Sequence, residues 1–197
     1  MRGDSRGWPG LLTRLLGRTA PPAPRLDALF AVPDAAVTLD TSLGMRPTGT
    51  GSVCFRPVEG GEFSDVEANI RALLDVDSGP SVQRTADAYG FTWLTVRHTP
   101  EDVPAVVTDL HAVATTLQEA GYGPTLLCSL VAFADPAGHR LALVYLSKRG
   151  TFYPFLPLEG ERRDNALELQ VRGLLEAELP VERDLTRWFP VWGAPGL

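Results

Sequence analysis

The chain has 197 residues, of which 44% are hydrophobic and 21% are charged, and this composition is typical of a folded globular protein rather than a disordered one. Its formal net charge of −6 argues against general nucleic-acid binding, which requires a basic surface. It contains no run of about 18 apolar residues, so the sequence predicts no membrane-spanning helix.

The first 25 residues differ from the rest in charge. They carry five arginines and one acidic residue, which gives +4 and leaves −10 on residues 26–197. Five apolar side chains follow helical spacing in this segment: Trp8, Leu11, Leu12, Leu15 and Leu16. Together with Arg14 and Arg18 they form a basic amphipathic arm, and Thr19–Pro24 is a stiff proline-rich linker. The arm is predicted to dock on an anionic membrane surface or a partner; the alternative is a helix that packs on its own domain.

The first half of the body contains strand and helix signals, although residues 26–43 are not assignable. The predicted elements are a loop over Gly44–Gly51, a strand over Ser52–Val58, a helix from Asp65 to about Val76, and a hairpin of Val82–Asp87 and Phe91–His98. Ser64 and Glu67 form a candidate capping box for the helix.

The second half begins with the longest predicted helix, from Thr99-Pro100 to Gly121. The strands predicted after it are Leu126–Ala134, Leu141–Lys148 and a further one at Thr151–Leu156. A third helix is capped by Asn165 and Glu168 and stops at Pro180.

Because hairpins alternate with helices, the sequence predicts an α+β fold with an antiparallel sheet and about three main helices largely on one face. The predicted domain organisation is an arm and linker over residues 1–25 and a single α+β domain over residues 26–197, including an aromatic C-terminal tail.

Few residues indicate chemistry. Cys54 and Cys128 lie in apolar, strand-like runs and are predicted to be buried free thiols, as in a reducing cytosol. The three histidines share no metal-ligand spacing with each other or with the cysteines, so no metal site or cofactor is predicted. No nucleophile elbow or phosphate-binding loop is present, and we predict that the protein is not an enzyme.

Two other features are candidate contact sites for a partner. Arg162 and Arg163 precede a helix start, where they pair with nearby acidic residues or contact an anion or partner. The tail holds Trp188, Phe189 and Trp192, which either complete the core of the domain or anchor an interface.

Several long blocks of the sequence carry a family resemblance. They are Thr48–Pro57, Val107–Val113, Leu126–Val131, Leu141–Leu146, Gly150–Pro154, Arg162–Val171 and Arg187–Gly193. Together they resemble the PspA-associated protein family, type B, over nearly the whole chain. No catalytic or binding residues are defined by this resemblance.

The resemblance implies a cytoplasmic bacterial accessory of the phage shock protein A envelope stress response, located at most peripherally on the inner face of the membrane. It implies a coiled-coil PspA-like partner and a link to an HtpX-type membrane protease. The order of elements is also similar to type III secretion chaperones and YbjN-type regulators, which would suit peptide binding and a homodimer. Three hypotheses follow: an adaptor that uses the arm, a chaperone-like module in which the body binds alone, and a small-ligand sensor or enzyme.

Overall fold

The computed structural model describes residues 26–57, 61–74 and 82–197. The helices are α1 (Val32–Leu43), α2 (Gly61–Leu74), α3 (Val103–Leu117) and α4 (Asn165–Leu175). The strands are β1 (Arg46–Phe55), β2 (Gln83–Ala86), β3 (Thr92–Arg97), β4 (Leu126–Ala134), β5 (Arg140–Leu146), β6 (Thr151–Phe155), β7 (Pro157–Leu158) and β8 (Arg162–Arg163). In these ranges no helix combines the length and hydropathy that crossing a bilayer requires.

Six strands form one sheet in the order β2-β3-β1-β4-β5-β6, and every neighbouring pair is antiparallel. The two short strands β7 and β8 form a separate hairpin. The predicted α+β class with an antiparallel sheet is therefore confirmed, and the described residues contain four α-helices rather than about three. The predicted bounds of β4 are those observed.

The helices cover one face of the sheet. Buried side chains of α1, α2, α3 and α4 form one apolar cluster with the strand side chains that alternate toward them, such as Val53, Leu94, Val131 and Leu143. The strand side chains of opposite orientation form a second cluster with the C-terminal residues. The sheet therefore lies between a helical layer and a thin C-terminal layer.

The predicted loop over Gly44–Gly51 is wrong, because β1 already begins at Arg46. Glycine is common in loops, but here it allows close packing. A β-carbon on Gly51 would lie 2.5 Å from Val106 Cγ1 of α3. Gly49 has φ +73° and sits at an irregularity of the β1–β4 register, directly against the backbone of His98. Both glycines therefore belong to the strand.

Other boundaries also differ from the predicted ones. The stretch that was not assignable contains α1, which ends at a left-handed Gly44. Because α2 begins at Gly61, the candidate capping box at Ser64 lies inside the helix, and Glu67 instead pairs with Arg71 at 2.8 Å. The predicted end near Val76 lies outside the described residues.

The helices α3 and α4 begin at aspartate caps. Asp102 accepts a hydrogen bond from the Ala105 backbone, so α3 starts at Val103 rather than at Thr99-Pro100. It changes to a π-type turn at Gln118–Tyr122 before the chain reverses.

The cap of α4 is Asp164, not the predicted Asn165. Its side chain accepts a hydrogen bond from the backbone of Leu167. The predicted capping partner Glu168 is turned into the core instead.

Candidate functional site

The C-terminal segment, residues 188–197, covers the sheet face opposite the helices. Trp188 is buried and its ring stacks on Tyr153 of β6, with 6.0 Å between centroids. Trp192 is half-buried and places its ring edge-on to Phe155 at 4.8 Å. Aromatic pairs of this kind add to the stabilisation from area burial. The tail therefore packs onto the sheet through two aromatic contacts.

Three hydrogen bonds fix the path of this segment. The hydroxyl of Tyr153 donates to the Phe189 carbonyl at 2.8 Å. The Trp188 indole donates to the Glu182 carbonyl at 3.0 Å. The guanidinium of Arg163 donates to the Trp188 carbonyl. The predicted contact residue Arg163 is thus directed toward the tail of its own chain.

Arg163 also forms an internal ion pair with Glu168, with 2.9 Å between Nε and Oε1. The Glu168 side chain is only 2% exposed, and the backbone N–H of Leu156 donates to the same carboxylate. Burial raises the pKa of Glu168, and the hydrogen bond from Arg163 opposes that rise. Arg163 additionally lies over the ring of Phe155, 5.0 Å from its centroid. The pair therefore connects α4 to the C-terminal segment.

Between the C-terminal segment and the sheet lies a cleft of about 650 Å³. Its floor is formed by side chains of three strands, including Trp93, Cys128 and Leu146, and its wall by Phe189 and Trp192. Burial raises the pKa of Tyr153, which also lines the cleft, well above its usual value. The lining is therefore mainly apolar and rich in aromatic side chains, as in many binding sites.

Asp87 is the acidic residue among those that line the cleft. Its carboxylate accepts hydrogen bonds from the indole of Trp93 and from the backbone N–H groups of Tyr89 and Phe91, each at 2.9 Å. These bonds hold the β2–β3 turn and the orientation of the indole. The carboxylate is thus directed into the turn.

Two of the cations that line the cleft are neutralised. Arg149 pairs with Glu182, whose side chain is 3% exposed. Burial alone would raise the pKa of Glu182, but hydrogen bonds from Arg149, Thr151 and the Asp184 backbone together hold it below its usual value. Arg187 forms a second ion pair, with 3.0 Å between its Nε and Oδ2 of Asp184.

The other two cations, Arg56 and Lys148, have no carboxylate partner among the described residues. The backbone N–H of Arg56 donates to the Thr125 carbonyl at 3.0 Å, and Lys148 Nζ donates to the Pro124 carbonyl at 2.8 Å. Because Pro124 and Thr125 are adjacent, both cations lie at one end of the cleft. The cleft is therefore polarised, with an apolar floor and a positive end.

The described residues contain no cluster suited to metal binding, and their histidine–aspartate pairs lie apart from the cleft. No group of three or more histidine, cysteine and acidic side chains could hold a metal within these ranges. His98 contacts Asp109 and His139 contacts Asp135, each at 2.6 Å, but neither pair lines the cleft. The third histidine, His111, borders a separate cavity of about 520 Å³. Its partner Asp27 has a fully exposed side chain, so this pair remains accessible to solvent.

The candidate residues named from the sequence fall into three groups. The arm residues Trp8, Leu11, Leu12, Arg14, Leu15, Leu16 and Arg18 lie outside the described residues. Arg163 and Trp188 are directed inward, and the half-buried Trp192 packs on Phe155, as described above. Arg162 and Phe189 are exposed, with Phe189 at 61%, and their role in partner contact stays a prediction.

Sequence reasoning missed the cleft and its positive end. Arg56, Trp93, Cys128 and Lys148 come from different elements, and only the order of the strands brings them together. No local spacing in the sequence signals this combination. The alternation in β4 does place Cys128 on the sheet face opposite the helices, and this is the part of the floor that a sequence pattern can indicate.

Comparison with known proteins gives one match. The sequence model of a family described as PspA associated protein B matches residues 9–196, nearly the whole chain. Neither the curated proteins nor the solved structures give a significant match. The likeness to type III secretion chaperones and YbjN-type regulators therefore stays a prediction.

Proposed function

The chain belongs to the PspA associated protein B family, and from this premise we propose that it is a non-enzymatic adaptor of the PspA membrane-stress response. In this proposal it acts in the cytoplasm through protein–protein contact with the PspA-like coiled-coil protein. The observation that carries the proposal is the apolar, aromatic cleft with a positive end on an otherwise acidic body.

The occupant proposed for the cleft is a segment of the PspA-like protein that combines large apolar side chains with acidic ones. Its apolar side chain would lie between Trp93, Trp192 and Leu146, where desolvated aromatic surface favours binding. Its carboxylates would lie near Arg56 and Lys148, which have no acidic partner among the described residues. Such charge complementarity mainly increases the association rate and the specificity of binding.

The arm provides a second proposed contact. Its apolar residues Leu11 and Leu15 and its basic residues Arg14 and Arg18 would bind the partner or the anionic inner face of the membrane. Each basic residue near such a surface contributes about 1 kcal/mol, so recruitment would be reversible and sensitive to salt. An HtpX-type protease and a second copy of the chain are further partners within this proposal.

A chaperone-like role is the second candidate function. It is favoured by the cleft, because the described residues that line it all belong to the body. In this case residues 26–197 would hold the partner segment with full affinity, and anionic liposomes would not recruit the protein.

The test is a pull-down of purified PspA-like protein with the full chain and with a chain that starts at Arg25, each with and without anionic liposomes. Capture only by the full chain would support the arm-dependent adaptor. Equal capture by both would support the chaperone-like role. Capture by neither would contradict both candidate functions.

The cleft itself is tested by the double charge reversal Arg56→Glu with Lys148→Glu. We expect binding to weaken at least about tenfold, which corresponds to about 1.4 kcal/mol. The matched control is Arg140→Glu, an exposed residue at the opposite end of β5 from Leu146, about 20 Å away at the rise of a strand. Equal binding by the double variant and the control would contradict docking at the cleft.

A further inference from the structure

The two cysteines of the chain lie directly opposite each other in the sheet. Cys54 of β1 and Cys128 of β4 are Cα partners in the antiparallel register, and both are free thiols. Directly opposed residues of antiparallel strands have Cα atoms about 4.5–5.5 Å apart, and a disulfide accepts Cα separations of about 4.4–6.8 Å. The backbone therefore already holds the separation that a disulfide requires.

The side chains of both cysteines lie on the same face of the sheet. Both cysteines belong to the apolar cluster on the face opposite the helices, and Cys128 is close enough to Cys54 to shift the pKa of its thiol. Trp93 of β3 is the Cα partner of Cys54 on the other side, and Leu146 of β5 is that of Cys128. The thiol pair thus lies in one row of side chains with Trp93 and Leu146, which line the cleft together with Cys128.

The two thiols differ in access. Cys128 lines the cleft, whereas Cys54 lies behind it and does not. The hydrogen bond with Cys128, together with burial, raises the pKa of the Cys54 thiol far above its usual value. Cys54 therefore keeps its proton, and Cys128 is the sulfur that a small molecule in the cleft would meet first.

We propose that Cys54 and Cys128 are a site of reversible oxidation, at which a hydroperoxide converts the two thiols into a disulfide bond across β1 and β4. This inference does not rest on the proposed function, because it depends only on the strand register and on access through the cleft.

The reaction proceeds in two steps. Cys128 Sγ attacks the peroxide, so that an S–O bond forms and the O–O bond breaks, and the leaving oxygen takes the Cys128 proton and departs as water or an alcohol. Cys54 Sγ then attacks the sulfenic sulfur, so that the S–S bond forms and the S–O bond breaks. The second oxygen leaves as water with the Cys54 proton. The peroxide is reduced, the thiol pair is oxidised, and a dithiol reductant reverses the change by exchange.

Disulfide formation would also change the cleft. An S–S bond holds its two β-carbons about 3.8 Å apart, compared with about 4.5–5.5 Å between unbridged opposed residues. The floor between Trp93 and Leu146 would contract, and the thiol of Cys128 would no longer be available to a ligand.

The first test uses the full-length protein and hydrogen peroxide. After treatment, catalase removes the peroxide, the protein is unfolded, and free thiols are counted with a maleimide. We expect both thiols to disappear together, a cross-linked peptide pair containing Cys54 and Cys128, and recovery of both thiols with dithiothreitol. Disulfide-linked dimers alone, or conversion of Cys128 to a sulfinic acid while Cys54 stays free, would overturn the proposal.

The second test separates the roles of the two sulfurs with matched serine variants. In Cys54→Ser, Cys128 should stop at the sulfenic acid, which dimedone traps; in Cys128→Ser, Cys54 should stay reduced at the same peroxide concentration. Rapid oxidation of Cys54 in the absence of Cys128 would overturn the proposed order. The peptide analysis of the wild-type protein decides the existence of the bond even where a serine variant does not fold.

Discussion

Replacing Arg163 by methionine tests whether the C-terminal segment depends on the internal ion pair. The substitution keeps a long apolar side chain but removes the guanidinium beside Glu168. The Arg163 side chain is 18% exposed and that of Glu168 is 2% exposed, so the variant leaves a buried carboxylate without its cation. Loss of one partner of a buried pair costs about 3–5 kcal/mol, and the partial exposure of Arg163 favours the lower end of that range.

The measurement is urea denaturation, which gives the free energy of unfolding for each variant. The matched control is Arg162→Met, because Arg162 is the exposed neighbour and its Nε donates only to the Glu159 carbonyl. A surface substitution of this kind should change stability by less than about 0.5 kcal/mol. Adding Glu168→Gln to Arg163→Met should restore part of the loss, because the buried side chain is then uncharged.

The loss in Arg163→Met should also depend on pH. Burial raises the pKa of Glu168, and removing Arg163 removes an interaction that opposes the rise. A carboxyl group with a raised pKa favours the folded state while protonated; this contribution is complete below its unfolded pKa and is lost as pH rises through the folded pKa. The difference from wild type should therefore be largest at neutral pH and shrink toward acid pH. A pH-independent difference, or a loss no larger than that of Arg162→Met, would refute the reasoning.

The remaining predictions concern packing and titration. Gly51→Ala should destabilise the protein by about 1–3 kcal/mol because its β-carbon would lie 2.5 Å from Val106 Cγ1. The control Gly173→Ala, with nothing within 4 Å of the new β-carbon, should stabilise α4 by about 0.5–1 kcal/mol. If both variants changed the free energy of unfolding equally in urea denaturation, the close packing of α3 on β1 would be contradicted. Hydrogen bonding to Asp135 raises the pKa of His139, so Asp135→Asn should lower the midpoint of an imidazole NMR titration. An unchanged midpoint would mean that the pair does not form in solution.

The parts of the fold that follow local patterns were predictable from the sequence. The strand β4 has a continuous apolar run bounded by a turn signal at Asp135–Gly138, and its limits were predicted correctly. The hairpin of β2 and β3 was likewise indicated by two strand-like runs, Val82–Asp87 and Phe91–His98, and by a turn signal between them that ends at Gly90. In both cases the signal and the structure lie within a few residues of each other, so no tertiary information was needed.

Predictions failed where tertiary packing decides the local conformation. Gly49 and Gly51 are typical of a loop, yet both lie inside the strand, because the His98 backbone packs against Gly49 and α3 packs against Gly51. Glu168 follows the spacing of a capping residue, but Arg163 and the Leu156 backbone draw its carboxylate into the core. Local sequence spacing indicates neither the close packing at the two glycines nor the inward direction of the Glu168 side chain.

The positive end of the cleft contributes little to the fold, and this is an argument for its role in binding. Arg149 and Arg187, which also line the cleft, are neutralised by Glu182 and Asp184. Pairing an exposed cation with a carboxylate contributes only about 0–1 kcal/mol, so the lack of a carboxylate partner for Arg56 and Lys148 among the described residues costs the fold little. In a chain with a net charge of −6, two cations that have no carboxylate partner in the described part of the chain and lie beside an apolar surface favour the binding of an acidic, apolar segment. Their charge reversal should therefore reduce partner binding while leaving stability nearly unchanged.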